Sequence, residues 1–405
     1  MAKTINVVKI TNVVKESVDT NKLRYFGLGL GYRREIRKDI IDYLAKPIPQ
    51  TFIQWLEIVP ENYIYKGGFP RKQFEKLMNM GVPLIPHGVN LSIGTAHKDK
   101  KRPNYDFHLL RGLKDLFEEI KAPWFSDHLS CSRIDNHYFQ ELIPVPFTKE
   151  AVDVVSDNIK FLEDYFQLPF LFENPSYYSH IIKPEMREST FINAVLKKAK
   201  CGLLLDVNNV FVNSVNHRYL PKQFIDDLDL SKVVQVHMAG HRKGYKSKLA
   251  NHEIKILDTH GENMSERVLE LFVHLMSKTR PKAVLLERDS NFDAEGFEGL
   301  LDELRKLRDI MDSRLDNLLA KNIDENKDTT EAKPVTAELN TNPEQSGPES
   351  SNPENNSNSI PETVLTEQSN TTEQSAAGAN TKVKTETEKR LEQDIDSLGE
   401  EFMDL

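Results

Sequence analysis

The feature that most constrains the fold is a recurrence. Eight short apolar runs, at residues 26–31, 52–59, 83–89, 124–130, 169–176, 202–210, 233–240 and 283–289, are spread along the chain. Gly202-Leu203-Leu204-Leu205 shows their character: it is apolar without alternation and ends abruptly in Asp206, Asn208 and Asn209. A run of that kind suits a strand buried on both faces. Segments with helical spacing lie between them, at 107–120, 151–166, 189–199 and 265–277. Eight alternating units over about 265 residues predict an α/β fold, a (β/α)8 TIM barrel, which runs to roughly 250 residues as one domain. An open doubly wound sheet is the structural alternative. Gly27, Gly29 and Gly31 alternate along a strand rather than bending around a phosphate, so they do not make a nucleotide-binding fingerprint.

Composition changes sharply at the ends of this unit. The barrel is expected at 24–312, after an N-terminal extension, 1–23, that lacks the continuous apolar core of a signal peptide. Beyond it the chain turns to Asn, Thr, Glu, Ser and Pro, so 313–388 is expected to be a disordered acidic and polar tail. Leu391, Ile395, Leu398, Phe402 and Leu405 then place one apolar stripe on a helix over 389–405. That stripe suits a tethered docking element or a frayed helix without a partner. The formal charge of −9 gives no basic signature, so nucleic acid is not the expected partner. Cys131 and Cys201 cannot form a disulfide framework, which fits a reducing compartment. No run approaches the roughly 20 apolar residues of a membrane span. A cytoplasmic protein without a membrane partner is therefore expected.

Polar residues gather where the apolar runs stop. Glu57 ends the second strand with Glu61 and Asn62 following, His87 ends the third, and Asp127 and His128 end the fourth. Glu173 and Asn174 end the fifth, and Asp206, Asn208 and Asn209 interrupt the sixth, with His217 following. His237 lies in the seventh, with His241 after it. Asp258 and His260 come next, and Glu287, Arg288 and Asp289 end the eighth. Barrel enzymes present their chemistry at these carboxyl ends. Several carboxylates buried together are costly unless cations neutralise them. Imidazole and carboxylate together favour Fe(II), Mn(II) or Zn(II), and the absence of thiols from the set argues against a structural zinc site. A metal-binding barrel mouth follows. His217, His237 and Glu287 are good ligand candidates, whereas His128 and His241 could equally orient ligands. His97, His108, His137, His180 and His252 read as surface residues. Arg33 and Arg34 suit either an anionic substrate group or a solvated helix start.

Several motifs occur in a fixed order: Gly27 to Arg33, Trp55-Leu56-Glu57 with Pro60-Glu61-Asn62-Tyr63, His87 to Gly94, and Ser126-Asp127-His128-Leu129-Ser130. Glu173-Asn174-Pro175-Ser176, Leu205 to Val210, Asn216-His217, His237 to His241 and Asp258-Thr259-His260-Gly261 complete the series. The series resembles the multinuclear non-haem iron-dependent oxidative enzymes, the family that includes the iron oxidase of methanobactin biosynthesis. The resemblance covers roughly 24–312 and says nothing of the tail. It implies two or three mixed-valent iron ions at the barrel mouth, with O2 as co-substrate. It also implies modification of cysteine or other residues in a ribosomally made precursor peptide, recruited with a separate partner protein. Carried onto matching positions, the implied ligands are His87, Asp127, Glu173, Asn174, Asp206, Asn209, His217, His237, Asp258, His260 and Glu287. Some members carry a further His where this chain has Val59, so two ions are expected here. Cys131 stands where an aromatic residue is common, and reads as a small buried residue.

The rival enzyme reading is a divalent-metal barrel of the xylose isomerase or endonuclease type, which polarises its substrate without redox change. A metal-storage or scaffold protein is the non-enzyme reading, and it predicts no turnover.

Overall fold

The computed structural model describes residues 22–46, 51–97, 105–134, 137–179, 182–246, 253–294 and 296–328. Eight parallel strands close into a barrel: β1 (Gly27–Gly31), β2 (Trp55–Ile58), β3 (Leu84–Gly88), β4 (Phe125–His128), β5 (Phe170–Glu173), β6 (Gly202–Asp206), β7 (Val233–Met238) and β8 (Ala283–Leu286). They pair in sequence order, and β1 pairs with β8 to complete the circle. Each strand falls within one of the eight apolar runs. The expected helical segments appear as Phe107–Ile120, Lys149–Phe166, Glu188–Ala199 and Glu266–Lys278, with Asp106, Thr148 and Ser265 capping three of them through their side chains.

The strands are buried on both faces because they serve two cores. The outer faces pack on the helices through residues such as Leu56, Phe125, Phe172, Leu205 and Val236. Inside the barrel, Trp55, Ile85, Trp124, Leu171, Leu204 and Leu285 form an apolar floor. The glycines of β1 make room for it. A Cβ on Gly29 would run into the Trp55 ring, whose indole N–H donates to the Gly27 carbonyl at 3.1 Å.

Two antiparallel hairpins at the carboxyl ends were not expected from the sequence. One pairs Ser130–Ile134 with His137–Pro144, with an irregular register between Cys131 and Arg133. The other pairs His241–Lys246 with Glu253–Asp258 and sets His241 opposite Asp258. The last helix, Gly296–Asp328, runs past residue 312, where the composition had placed the end of the ordered unit. The N-terminal stretch 1–21, the rest of the tail to 388 and the expected helix at 389–405 lie outside the described residues. Among the described residues no helix is long and apolar enough to cross a membrane.

Candidate metal centre

Side chains alternate across a strand, so the residue two beyond a floor residue points back into the barrel. That parity places Glu57 above Trp55, His87 above Ile85, Glu173 above Leu171, Asp206 above Leu204 and Glu287 above Leu285. His128 lies four residues beyond Trp124 and shares its side. Six of the eight strand ends therefore raise a ring of donors directly over an apolar floor, and His237 of β7 joins them.

The ring holds overlapping sets of donors. In the first, His87, His128 and Glu173 each bring one ligand atom within 4.8 Å of the others. Glu173 Oε2 lies 3.0 Å from His87 Nε2 and 3.5 Å from His128 Nε2. His87 is oriented from behind, its Nδ1 being 2.9 Å from Ser126 Oγ. The second region joins Glu173, Asp206 and His237 to Glu57, Glu287 and His260 through three further sets of the same tightness. His237 Nδ1 lies 3.0 Å from Glu287 Oε2 and 4.0 Å from Glu173 Oε2. His260 Nδ1 lies 3.4 Å from Glu287 Oε2. Glu173 thus belongs to both regions. His260 adopts a left-handed backbone, φ 46°, which is unfavourable for a residue with a Cβ and is tolerated where a site fixes it.

His237 is also fixed from behind. Trp124 Nε1 donates to Gln235 Oε1 at 2.8 Å, which turns the Gln235 amide toward Glu57. Glu57 Oε2 then accepts from Gln235 Nε2 at 2.6 Å and from His237 Nε2 at 2.8 Å. A carboxylate behind an imidazole commits one ring nitrogen to its proton and presents the other as a lone pair. Here Nδ1 faces the cluster.

The donor set fits a metal. Glu173 Oε2, Asp206 Oδ2, His237 Nδ1 and His260 Nε2 are all buried and make no well-aligned hydrogen bond, although they crowd together. Buried polar atoms without partners are rare, and each calls for a reason. Imidazole and carboxylate converging without thiols is the donor chemistry of Fe(II), Mn(II) or Zn(II).

Charge organises the ring. Burial pushes the Glu173 carboxyl up, but His128, His87 and His237 outweigh it and hold it at about 2. Burial likewise opposes ionisation of Glu287, yet His260 and His237 hold it well below the ordinary carboxylate range. His237 and His260 are raised well above the usual imidazole range despite burial, by Glu57 with Glu287 and by Asp258 with Glu287 respectively. His128 is raised against burial to about 9 by Glu173 and Asp127. Asp206 goes the other way: burial, then the charge on Glu173, push it well above its usual range. A cation entering this ring displaces the imidazole protons, so metal binding releases protons.

Not every expected ligand joins the ring. Asn174 spends both ends of its amide on the Asp206 backbone, Oδ1 accepting at 2.9 Å and Nδ2 donating at 3.0 Å. Asp127 accepts from the Leu91 and His128 backbone N–H groups at 2.8 and 2.6 Å, and so holds the loop after β3. His217 ends the helix Val207–His217, stacks on Tyr177 at 4.2 Å and contacts its carbonyl through Nε2 at 2.7 Å. Asn209 stays at the edge, with Nδ2 3.3 Å from Glu173 Oε1 and a buried Oδ1 without a partner. Asp258 supports His260, with Oδ1 2.8 Å from its Nε2, and accepts from Asn208 Nδ2 at 2.7 Å. His241 is turned by Asn208 Oδ1, 2.8 Å away, and burial pushes it down to about 4. His128 and Glu57, absent from the implied ligands, stand inside the ring; strand parity was the signal that could have found them. Arg33 bridges Glu287 and Asp289 at 2.9 and 2.6 Å. Burial pushes the half-buried Cys131 thiol up to about 11.

Above the ring lies a cleft of about 780 Å³. His87, Glu173 and His260 are among the residues of its base. Phe139 and residues 141–144 of the first hairpin and the loop 175–179 form its walls.

Residues 27–312 match the family described as "RiPP precursor modification enzyme MbnB/TglH/ChrH". Among similar proteins is a UPF0276 protein of Pasteurella multocida, 37% identical over 285 residues, covering 66% of this chain and 89% of the relative. A UPF0276 protein of Neisseria meningitidis serogroup B is 37% identical over 284 residues, covering 69% of this chain and 94% of the relative. Among solved structures, the 3-keto-D-glucoside 4-epimerase YcjR of E. coli aligns with a TM-score of 0.42 and 14% identity, over 69% of this chain and 98% of that one. With its matched region running from the first barrel strand into the last helix, the chain belongs to the MbnB/TglH/ChrH family of enzymes that modify RiPP precursors.

Proposed function

We propose that the barrel mouth holds two iron ions and uses O2 to oxidise a residue, cysteine foremost, of a ribosomally made precursor peptide. The observation that carries this reading is the crowding of buried carboxylates and imidazoles, Glu173, Asp206, His237, Glu287 and His260, whose Glu173 Oε2, Asp206 Oδ2, His237 Nδ1 and His260 Nε2 make no well-aligned hydrogen bond, beneath an open cleft that Glu173, Glu287 and His260 line. His87, His128 and Glu173 would hold one ion; Asp206, His237, Glu287 and His260 would hold the other, with Glu173 between them. Val59 lines the cleft where a further histidine would be needed for a third. When bound, iron supplies the oxygen chemistry and acidifies a substrate thiol.

The chain's own residues do the rest. Glu57 and Ser126 orient His237 and His87. The apolar floor of Trp55, Trp124 and Leu285 excludes water from below. The walls of the cleft admit an extended peptide and hold the reacting residue over the ring, which converts an encounter into a positioned reaction. The proposal includes a separate partner protein that delivers the peptide, and a cytoplasmic setting.

Metal analysis of anaerobically purified protein, with Mössbauer spectroscopy of an iron-57 sample, tests this reading. Two irons per chain, in a ferrous and ferric mixture that responds to O2, is the expected result. Stoichiometric zinc or manganese with no functional iron would overturn it and favour an isomerase or hydrolase.

A further inference from the structure

A second cleft, of about 570 Å³, opens beside the first and shares Arg33 and Val59 with it. Its chemistry differs from that of the acidic ring. Arg33, Arg34 and Arg37 line it, against a single carboxylate, Glu35. Arg33 is engaged by Glu287 and Asp289, yet its Nη1 is buried without a hydrogen-bond partner. Arg34 is exposed, and Arg37 lies over the Phe69 ring at 5.2 Å; among the described residues neither forms an ion pair with a carboxylate. Tyr32 also lines this cleft. It is only 4% exposed, and its hydroxyl has no partner. An unpartnered buried donor costs free energy that an acceptor would recover. Guanidinium and phenol donors around one cavity suit a carboxylate. Phe69, 62% exposed, offers an apolar rim for a neighbouring side chain.

We infer that this side cleft is a carboxylate subsite: it seats an acidic group of the peptide while the residue to be modified lies over the metal ring. The inference rests on the peptide-modifying reading above and deepens it, because it assigns a charge to the segment beside the target residue. The carboxylate comes either from an Asp or Glu side chain or from the peptide's own C-terminus. Arg33 links the two clefts: it lines both, and its guanidinium is tied to the ring through Glu287.

The test is binding of short fluorescein-labelled cysteine peptides to iron-loaded protein, followed by anisotropy under anaerobic conditions. Three peptides are compared: an amidated one with Asp beside the cysteine, an amidated one with Lys there, and a neutral one with a free C-terminus. Wild-type protein should bind one or both carboxylate peptides on the order of tenfold more tightly than the Lys peptide at low salt, and the preference should shrink as salt rises. The arm that carries the preference identifies the source of the carboxylate. Arg34→Glu with Arg37→Glu should abolish or invert the preference without changing iron content, and Tyr32→Phe should weaken it severalfold. Equal binding of all three peptides by wild type, or an unchanged preference in the double variant, overturns the subsite and leaves the peptide reading standing. Binding of none of them overturns both.

Discussion

Glu57→Gln isolates how the barrel prepares a ligand. The Glu57 carboxylate is 1% exposed and accepts two hydrogen bonds on one oxygen, from His237 Nε2 at 2.8 Å and Gln235 Nε2 at 2.6 Å. A glutamine can place its carbonyl oxygen at the same point and still accept both. Its NH2 takes the position of Oε1, which has no partner, so no new clash with an existing donor arises. What is lost is the negative charge behind the imidazole. Hydrogen bonds with an ionised partner are roughly twice as strong as neutral ones. Removing such a support for a metal-bound histidine typically weakens metal binding by about 10- to 100-fold, or about 1.4–2.8 kcal/mol. The assay is anaerobic competition for Fe(II) against a chromophoric chelator, with circular dichroism of the metal-free variant to confirm the fold. Weaker binding at the His237 position in a folded protein is the expected result. Wild-type affinity in the folded variant would refute the argument that Glu57 acts through His237.

Metal content also separates ring members from their neighbours: His87→Ala should lose about one iron per chain, whereas His217→Ala, on the Tyr177 side of its helix, should keep the wild-type count; equal losses in both would remove the distinction. Away from the donor ring, Glu188 is buried, and burial pushes its carboxyl up to about 8, while the Tyr177 hydroxyl donates to it at 3.2 Å. Because the folded value lies above the unfolded value of about 4.5, Glu188 carries no penalty below that pH. Stability is lost as pH rises from about 4.5 to about 8 and no further above it, a cost approaching ~3 kcal/mol at neutral pH. Glu188→Gln should therefore gain stability over wild type progressively across that window in urea unfolding; a pH-independent difference would refute it.

The barrel was legible in the sequence because a doubly buried strand must be apolar throughout. Gly202–Asp206 and Ala283–Leu286 could hardly be anything else once eight such runs alternate with helices. The two hairpins were not legible: they sit in connections, and the irregular register at Cys131 and Arg133 breaks the alternation that would mark a strand pair. The ring of donors was visible as a set, but membership depends on direction. Asp127 and His128 are adjacent, so they face opposite ways. His128, in phase with Trp124, enters the barrel, and Asp127 turns to the loop after β3. Asn174 looked like a ligand because amides and carboxylates share oxygen chemistry; only the structure shows its amide committed at both ends to the Asp206 backbone.

The floor of Trp55, Trp124, Leu171, Leu204 and Leu285 has one more consequence. A barrel plugged at its base cannot thread a polymer through itself as a pore can. A peptide substrate, whether laid along the cleft or offered as an end, has to leave by the same open mouth through which it came in. A precursor with several target residues is then handled in separate visits, or by sideways slippage along the cleft beneath the hairpin. The order in which targets are modified is set by how the chain is offered at the rim, since no residue can be drawn in from behind.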